Sequence, residues 1–183
     1  TSPLTLVGVM VHKSRIIPAI PKGRKLLEKR KDGTLAEEFS SLSDRKRDKF
    51  RRALWKEFHR RGLQTDDELD FFVREYLGYR IPRVKHSPES TPPFTFLSDL
   101  FFERVDKALG WASRSSGKTR IVSILNYLDM DFKAKIDIAH AGATLDQAGR
   151  AYRYFCSYFL EPLARQRVQR SIQSYTEFVN KSS

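Results

Sequence analysis

The chain has 183 residues, 34 Lys plus Arg against 22 Asp plus Glu, and a formal net charge of +12, so polyanions are its natural partners. Its 40% hydrophobic and 12% aromatic residues suffice for a packed core and exclude a wholly disordered basic tail. The longest apolar run, Leu4 to Val11, falls far short of the roughly 20 residues of a membrane span and lacks the flanks of a signal peptide. The single Cys156 and the scattered His12, His59, His86 and His140 exclude an internal disulfide and give no zinc-ligand spacing. A cytoplasmic location is expected.

Residues 1–85 carry 21 basic and 12 acidic side chains, which puts +9 of the charge in the first half. Lys22 to Lys31 is a basic stretch compatible with a helix, closed by the turn signal Asp32-Gly33. Ser43 then N-caps a helix to about Arg61, with Phe50, Leu54 and Phe58 at i, i+4 and i+8 and Gly62 to stop it. Beyond its first residue, Asp44, that helix holds Arg45, Lys46, Arg47, Lys49, Arg51, Arg52, Lys56, Arg60 and Arg61 against only Asp48 and Glu57. Like charges at this density repel unless a counter-charge meets them. Arg45, Lys46, Lys49, Arg52 and Lys56 are therefore candidate contacts to nucleic-acid phosphates, insensitive to base sequence. An acidic protein surface would satisfy the same charges.

Thr65 caps a second helix that ends near Gly78, buries Leu69, Phe72, Val73, Tyr76 and Leu77, and completes a short helical hairpin. Its Asp66, Asp67, Glu68 and Asp70 are read as complements of the helix dipole rather than as a metal-binding cluster. The Pro- and Ser-rich segment 86–93 forms a linker between this basic, mainly helical region, 1–85, and residues 94–183. Beyond it the pattern alternates. Ala108 to Ala112 reads as a strand, a helix follows with Ile121, Val122, Ile124, Leu125 and Leu128 inward, and Ile136 to Ala141 reads as a second strand. Thr144-Leu-Asp-Gln147 opens a further helix as a capping box, and Tyr152, Phe155 and Phe159 at i, i+3 and i+7 form its core face rather than a base-stacking platform. One edge strand is expected after Gln173. This βαβα order implies an α/β fold with parallel strands, right-handed crossovers and helices on the sheet.

The sharpest motif is Ala112-Ser-Arg-Ser-Ser-Gly-Lys-Thr119, which departs from the P-loop pattern GxxxxGK[ST] only in having alanine for the first glycine. It lies between a predicted strand and a predicted helix, where the N–H groups of a tight turn and a helix N-terminus converge on phosphates. Ser113, Ser115, Ser116, Gly117, Lys118 and Thr119 are the candidate nucleotide-binding residues, with Lys118 on the β and γ oxygens and the Thr119 hydroxyl on Mg²⁺. Arg114 could reach the γ-phosphate or a neighbouring subunit, or stand as a solvated arginine.

The P-loop run continued to Arg120, Ser123-Ile-Leu-Asn-Tyr-Leu128, Ala141-Gly-Ala-Thr-Leu-Asp-Gln-Ala148 and Ala151-Tyr-Arg-Tyr-Phe155 resemble the ATPase domain of the large terminase subunit of tailed bacteriophages. Gly78-Tyr-Arg-Ile-Pro-Arg83 and Pro93-Phe-Thr-Phe-Leu-Ser-Asp-Leu-Phe-Phe102 look like the segment leading into that domain, so the likeness covers about residues 65–183. It implies a partial P-loop NTPase sandwich that binds ATP and Mg²⁺ in a ring-shaped motor translocating double-stranded DNA. The implied partners are the portal protein, the small terminase subunit and further copies of the chain, at the procapsid in the host cytoplasm. By the same resemblance Lys118 and Arg114 have catalytic roles, Arg114 as the loop arginine of the trigger, and Phe94 and Phe96 lie where adenine is seated. No apolar run ending in Asp-Glu and no nuclease carboxylate cluster follows Gln173, so the chain reads as an N-terminal fragment that hydrolyses ATP poorly by itself. A DNA-binding adaptor with a remnant P-loop and another small P-loop NTPase or kinase are the alternatives.

Overall fold

The computed structural model describes residues 7–10, 35–110, 112–113, 116–134, 138, 145–172 and 175–178. Lys22 to Lys31, the strand expected at 136–141, Thr144, Arg114 and Ser115 lie outside the described residues, apart from the isolated position Ile138.

Two helices form where periodicity and caps coincide. After a short helix α1 (Leu35–Ser40), α2 spans Asp44–Arg61 and α3 spans Asp66–Tyr76. Ser43 sits at the N-cap of α2 with extended backbone but makes no side-chain cap bond, so its cap is conformational. The other end is closed by Gly62, whose φ of 80° admits glycine without strain and whose N–H bonds Phe58 O at 2.7 Å. Thr65 caps α3 in full, its Oγ1 accepting from Glu68 N at 3.2 Å. Arg61 meets Glu68, Phe58 meets Phe72, Trp55 meets Tyr76, and the Tyr76 hydroxyl donates to Arg51 O at 2.6 Å, so the pair packs as an antiparallel hairpin.

Helix α4 (Pro93–Phe101) begins with proline in its first turn, where the missing N–H would have no intrahelical partner anyway. It buries Phe94, Leu97, Leu100 and Phe101. The loop before it is exposed from Pro82 to Glu89, yet the side chains on either side of that loop belong to one core, which runs from Leu35 through α2, α3 and α4 to Val168.

At the centre stands α5 (Lys118–Phe132), with every residue from Val122 to Asp129 buried. A helix enclosed on all sides is expected to be apolar all round, but this one encloses Ser123, Asn126, Asp129 and Asp131. Three of these are held by visible partners. Ser123 Oγ bonds Arg120 O at 2.8 Å and the Tyr158 hydroxyl at 2.9 Å. Asp129 lies 2.8 Å from Lys133 Nζ, which is itself 3.2 Å from Glu103, at ion-pairing distance but without hydrogen-bond alignment for the Asp129 oxygen or the amine. Asp131 accepts from Arg167 Nε at 3.0 Å and from the Tyr127 hydroxyl at 3.3 Å, and lies 2.7 Å from His59 Nε2. At its far end Phe132 stacks on His59 and meets Phe72 and Phe101 edge-on, which fastens α5 to the hairpin and to α4.

Strand β1 (Val7–Met10) pairs antiparallel with β2 (Lys107–Gly110), from Val7 opposite Gly110 to Met10 opposite Lys107. After α6 (Leu145–Ser157), a 3₁₀ turn (Tyr158–Leu160) and the one-turn α7 (Pro162–Arg165), β3 (Val168–Ile172) and β4 (Tyr175–Phe178) form a second antiparallel ribbon. The sequence leads one to expect parallel strands, whereas both ladders among the described residues are antiparallel. The physical reason at β2 is that its partner comes from the apolar run near residue 7, nearly a hundred positions upstream, and alternation between neighbouring units carries no sign of such a pairing. No helix among the described residues is long and apolar enough to cross a membrane.

Candidate functional site

Strand β2 ends at Gly110 and α5 starts at Lys118, so the motif loop runs from a strand end to a helix start. The turn into the helix depends on Gly117, whose φ of 84° lies in the left-handed region; a Cβ there would meet nothing within 4 Å, so backbone conformation alone selects glycine. Its carbonyl accepts from Arg120 N and Ile121 N at 3.0 Å each, which leaves the N–H groups of Lys118 and Thr119 ahead of the first intrahelical donors, at the positive end of the helix dipole.

Lys118 does not extend into solvent. Its Nζ donates to Ala112 O at 2.6 Å and to Ser113 O at 2.5 Å, with Ser116 Oγ 3.5 Å away, while Ser116 N reaches Ser113 O at 3.4 Å. The ammonium thus ties the start of the motif to the first residue of the helix. Ser113, Ser116 and Gly117 are exposed and Thr119 is half-buried one position along the helix. The motif therefore holds a cation, helix-terminal N–H groups and hydroxyls within one short stretch, group types by which proteins bind phosphates. A Mg²⁺ ion prefers hard oxygen ligands, and the Thr119 hydroxyl is the donor this loop would give it.

The aromatic residues upstream separate. Phe94 is buried in the core under the guanidinium of Arg83, which stands 4.7 Å from its ring. Phe96 instead lies against Gly110, its ring 3.6 Å from the position a Cβ would take, and so borders the strand end that enters the loop. Sequence reasoning missed a contact on the other side. Arg120, in the first turn of α5, is stacked between the rings of Tyr79 and Tyr154, 4.7 and 4.6 Å from their centroids. The order Lys118-Thr-Arg120 gives the cation, but the rings come from residues 41 positions upstream and 34 downstream, so no local pattern could reveal the stack.

The far end of α5, about 22 Å from the loop at 1.5 Å per residue, carries the second ionic group. Burial pushes the Asp131 carboxyl up, but the hydrogen bond and charge of His59 and those of Arg167 outweigh it and hold its pKa below the usual carboxylate value. The opposite outcome holds two residues earlier. Burial raises Asp129 to about 6, with Lys133 pulling it back down and Glu103 adding to the rise. His59 Nδ1 lies 2.8 Å from the Trp55 carbonyl and Nε2 2.7 Å from the Asp131 carboxylate, so the ring bridges its own helix to the end of α5.

On α2 the fold sorts the nine cations. Arg47 bonds Ser40 O, Phe39 O and Asp44; Arg51 bonds Glu75 O and pairs with Glu161 at 2.7 Å; Arg60 pairs with Glu57, and Arg61 with Glu57 and Glu68. Arg45, Lys46, Lys49, Arg52 and Lys56 are exposed, and none has an ion pair or hydrogen bond among the described residues. The acidic residues of α3 are individually engaged: Asp66 with Arg104, Asp67 with Leu35 N, Glu68 with Arg61 and Gln64 N, and Asp70 with Arg74.

No protein-family model matches the chain, and no curated protein or solved structure is significantly similar to it.

Proposed function

We propose that residues 112–119 and the start of α5 bind the polyphosphate of ATP with Mg²⁺, as the nucleotide-binding part of a DNA-packaging motor of the large-terminase type. The observation that carries this reading is the placement of Lys118 Nζ on the carbonyls of Ala112 and Ser113, at the left-handed Gly117 that opens a long buried helix. Ammonium, helix-terminal N–H groups and the Ser113, Ser116 and Thr119 hydroxyls then converge on one anionic ligand. Lys118 exchanges its loop carbonyls for phosphate oxygens on binding, and the buried body of α5 keeps the helix terminus from moving away. Bound Mg²⁺ would neutralise charge on the transferring phosphoryl group. Ser115 and Arg114 belong to the same loop in sequence, and Arg114 is proposed to act on the γ-phosphate. The fold proposed with this function is a partial P-loop sandwich in which β2 supplies the strand before the loop.

Calorimetric titration with Mg·ATP tests the reading. The folded chain is expected to bind, and Lys118→Ala to reduce affinity by at least about tenfold, the loss of one charge-assisted contact. A folded native chain that takes up no Mg·ATP, or a Lys118→Ala variant with unchanged affinity, refutes it.

A further inference from the structure

The outward face of α2 presents a linear array of charge with no partner inside the fold. Positions 45, 49, 52 and 56 recur every three or four residues and so share one face, one cation about every 5–6 Å over about 16 Å of helix, with Lys46 on one flank and the single carboxylate of Asp48 on the other. Leu54, Trp55 and Phe58 on the opposite face are buried, and Arg47, Arg51, Arg60 and Arg61 are spent on backbone carbonyls and carboxylates of the chain itself. The packed face and the paired arginines therefore fix the helix in roll, and the five remaining cations point away from the core by construction.

We propose that this stripe binds the phosphodiester backbone of a nucleic-acid duplex. The exposed residues of α2 are Asp44, Arg45, Lys46, Asp48, Lys49, Arg52, Lys56 and Arg60, with no apolar or aromatic side chain among them. Protein partners anchor on buried aromatic and aliphatic side chains at interfaces depleted in lysine, so an acidic protein has nothing here to dock on beyond charge. Single strands are held by stacking their bases on aromatic rings, and the stripe offers none. What it offers is a row of exposed cations at regular spacing, which suits a row of phosphates and ignores base identity. The proposal stands apart from the nucleotide reading of the loop, since α2 carries the stripe whether or not ATP binds.

The test compares two triple variants of equal net charge, K46Q/K49Q/K56Q on the stripe and R80Q/K85Q/R165Q at exposed cations elsewhere. Each is titrated by fluorescence anisotropy against labelled 30-bp duplexes of two unrelated sequences, the matching single strand and a polyglutamate peptide, over a range of salt, with circular dichroism as the check on folding. The stripe variant should lose at least about tenfold in duplex affinity near 0.1 M salt and show a slope of log K against log salt shallower by about 2.7, three contacts at about 0.9 each. The other variant should change less than about twofold, and the two duplexes should bind alike. Equal losses from the two variants, or no loss from either, overturn the proposal. Single strand or polyglutamate binding as tightly as duplex overturns the choice of occupant.

Discussion

Replacing Asp131 by alanine removes a carboxylate that faces both His59 and Arg167. All of its polar contacts lie in the interior: 2.7 Å to His59 Nε2, 3.0 Å to Arg167 Nε and 3.3 Å to the Tyr127 hydroxyl, with its own side chain fully buried. Removing one member of a buried ionic group typically costs about 3–5 kcal/mol, because the opposing charges stay desolvated without compensation. For a domain whose stability is of order 5–15 kcal/mol this is a large fraction, and it lowers Tm by roughly 10 °C. Asparagine should cost less. Its amide oxygen can still accept from Arg167, and its NH₂ can donate to a neutral His59 whose Nδ1 hydrogen remains on Trp55 O. The pH dependence follows from the lowered pKa of Asp131. Its stabilising contribution is fully present above the unfolded value near 3.8 and is lost as pH falls through the still lower folded value. Urea unfolding at pH 7 of the native chain, Asp131→Ala and Asp131→Asn measures the series. Losses below about 1 kcal/mol for both variants, or a larger loss for asparagine than for alanine, refute the assignment of this cluster as a structural fastener.

Asp129 behaves in the opposite sense. With a folded pKa of about 6 against an ordinary 3.8, the folded state holds its proton more tightly, so its contribution to stability falls as pH rises from about 4 through 6. A carboxyl ¹³C titration should place its midpoint near 6, and a midpoint near 4 contradicts the burial argument. Gly117→Ala should destabilise by about 1–2 kcal/mol through the left-handed φ of 84° alone, since no atom lies within 4 Å of the added methyl, and unchanged urea unfolding would contradict this. Arg120→Ala should lower stability by about 1–2 kcal/mol by removing both ring contacts, and a thermal melt shifted by less than 1 °C would deny the stack an energetic role.

The helices α2 and α3 are legible because their periodicity, Gly62 and Thr65 agree, and the structure places α2 from Asp44 to Arg61 and α3 from Asp66 to Tyr76. The helix after the motif is legible for the same reason, but its enclosure is not. Periodicity marks Ile121, Val122, Ile124, Leu125 and Leu128 as one apolar side, whereas Ser123, Asp129 and Asp131 are buried too, held by Tyr158, Lys133, His59 and Arg167. The partners facing those groups lie 4 to 72 residues away, and the long-range ones leave no mark in a local window. Helix α4 had a readable signal in Pro93 at its start and Phe94, Leu97 and Phe101 at i, i+3 and i+7. The ladder of β2 with residues 7–10 had none, because four-residue strands carry little pattern and pairing across the chain is set by packing. At the loop, the spacing of the P-loop pattern indicates which residues could hold phosphate, but not that Lys118 lies folded back on the Ala112 and Ser113 carbonyls.

The most direct measurement of the central claim is a titration of ¹⁵N-labelled chain with Mg·ADP and Mg·ATP, followed by amide shifts. The account predicts that the largest changes fall on the amides of Ser116, Gly117, Lys118 and Thr119, that Mg·ATP exceeds Mg·ADP in affinity, and that Lys118→Ala removes the response while the α2 and α3 amides stay in place. Changes centred elsewhere, or none at millimolar nucleotide on a folded chain, contradict it.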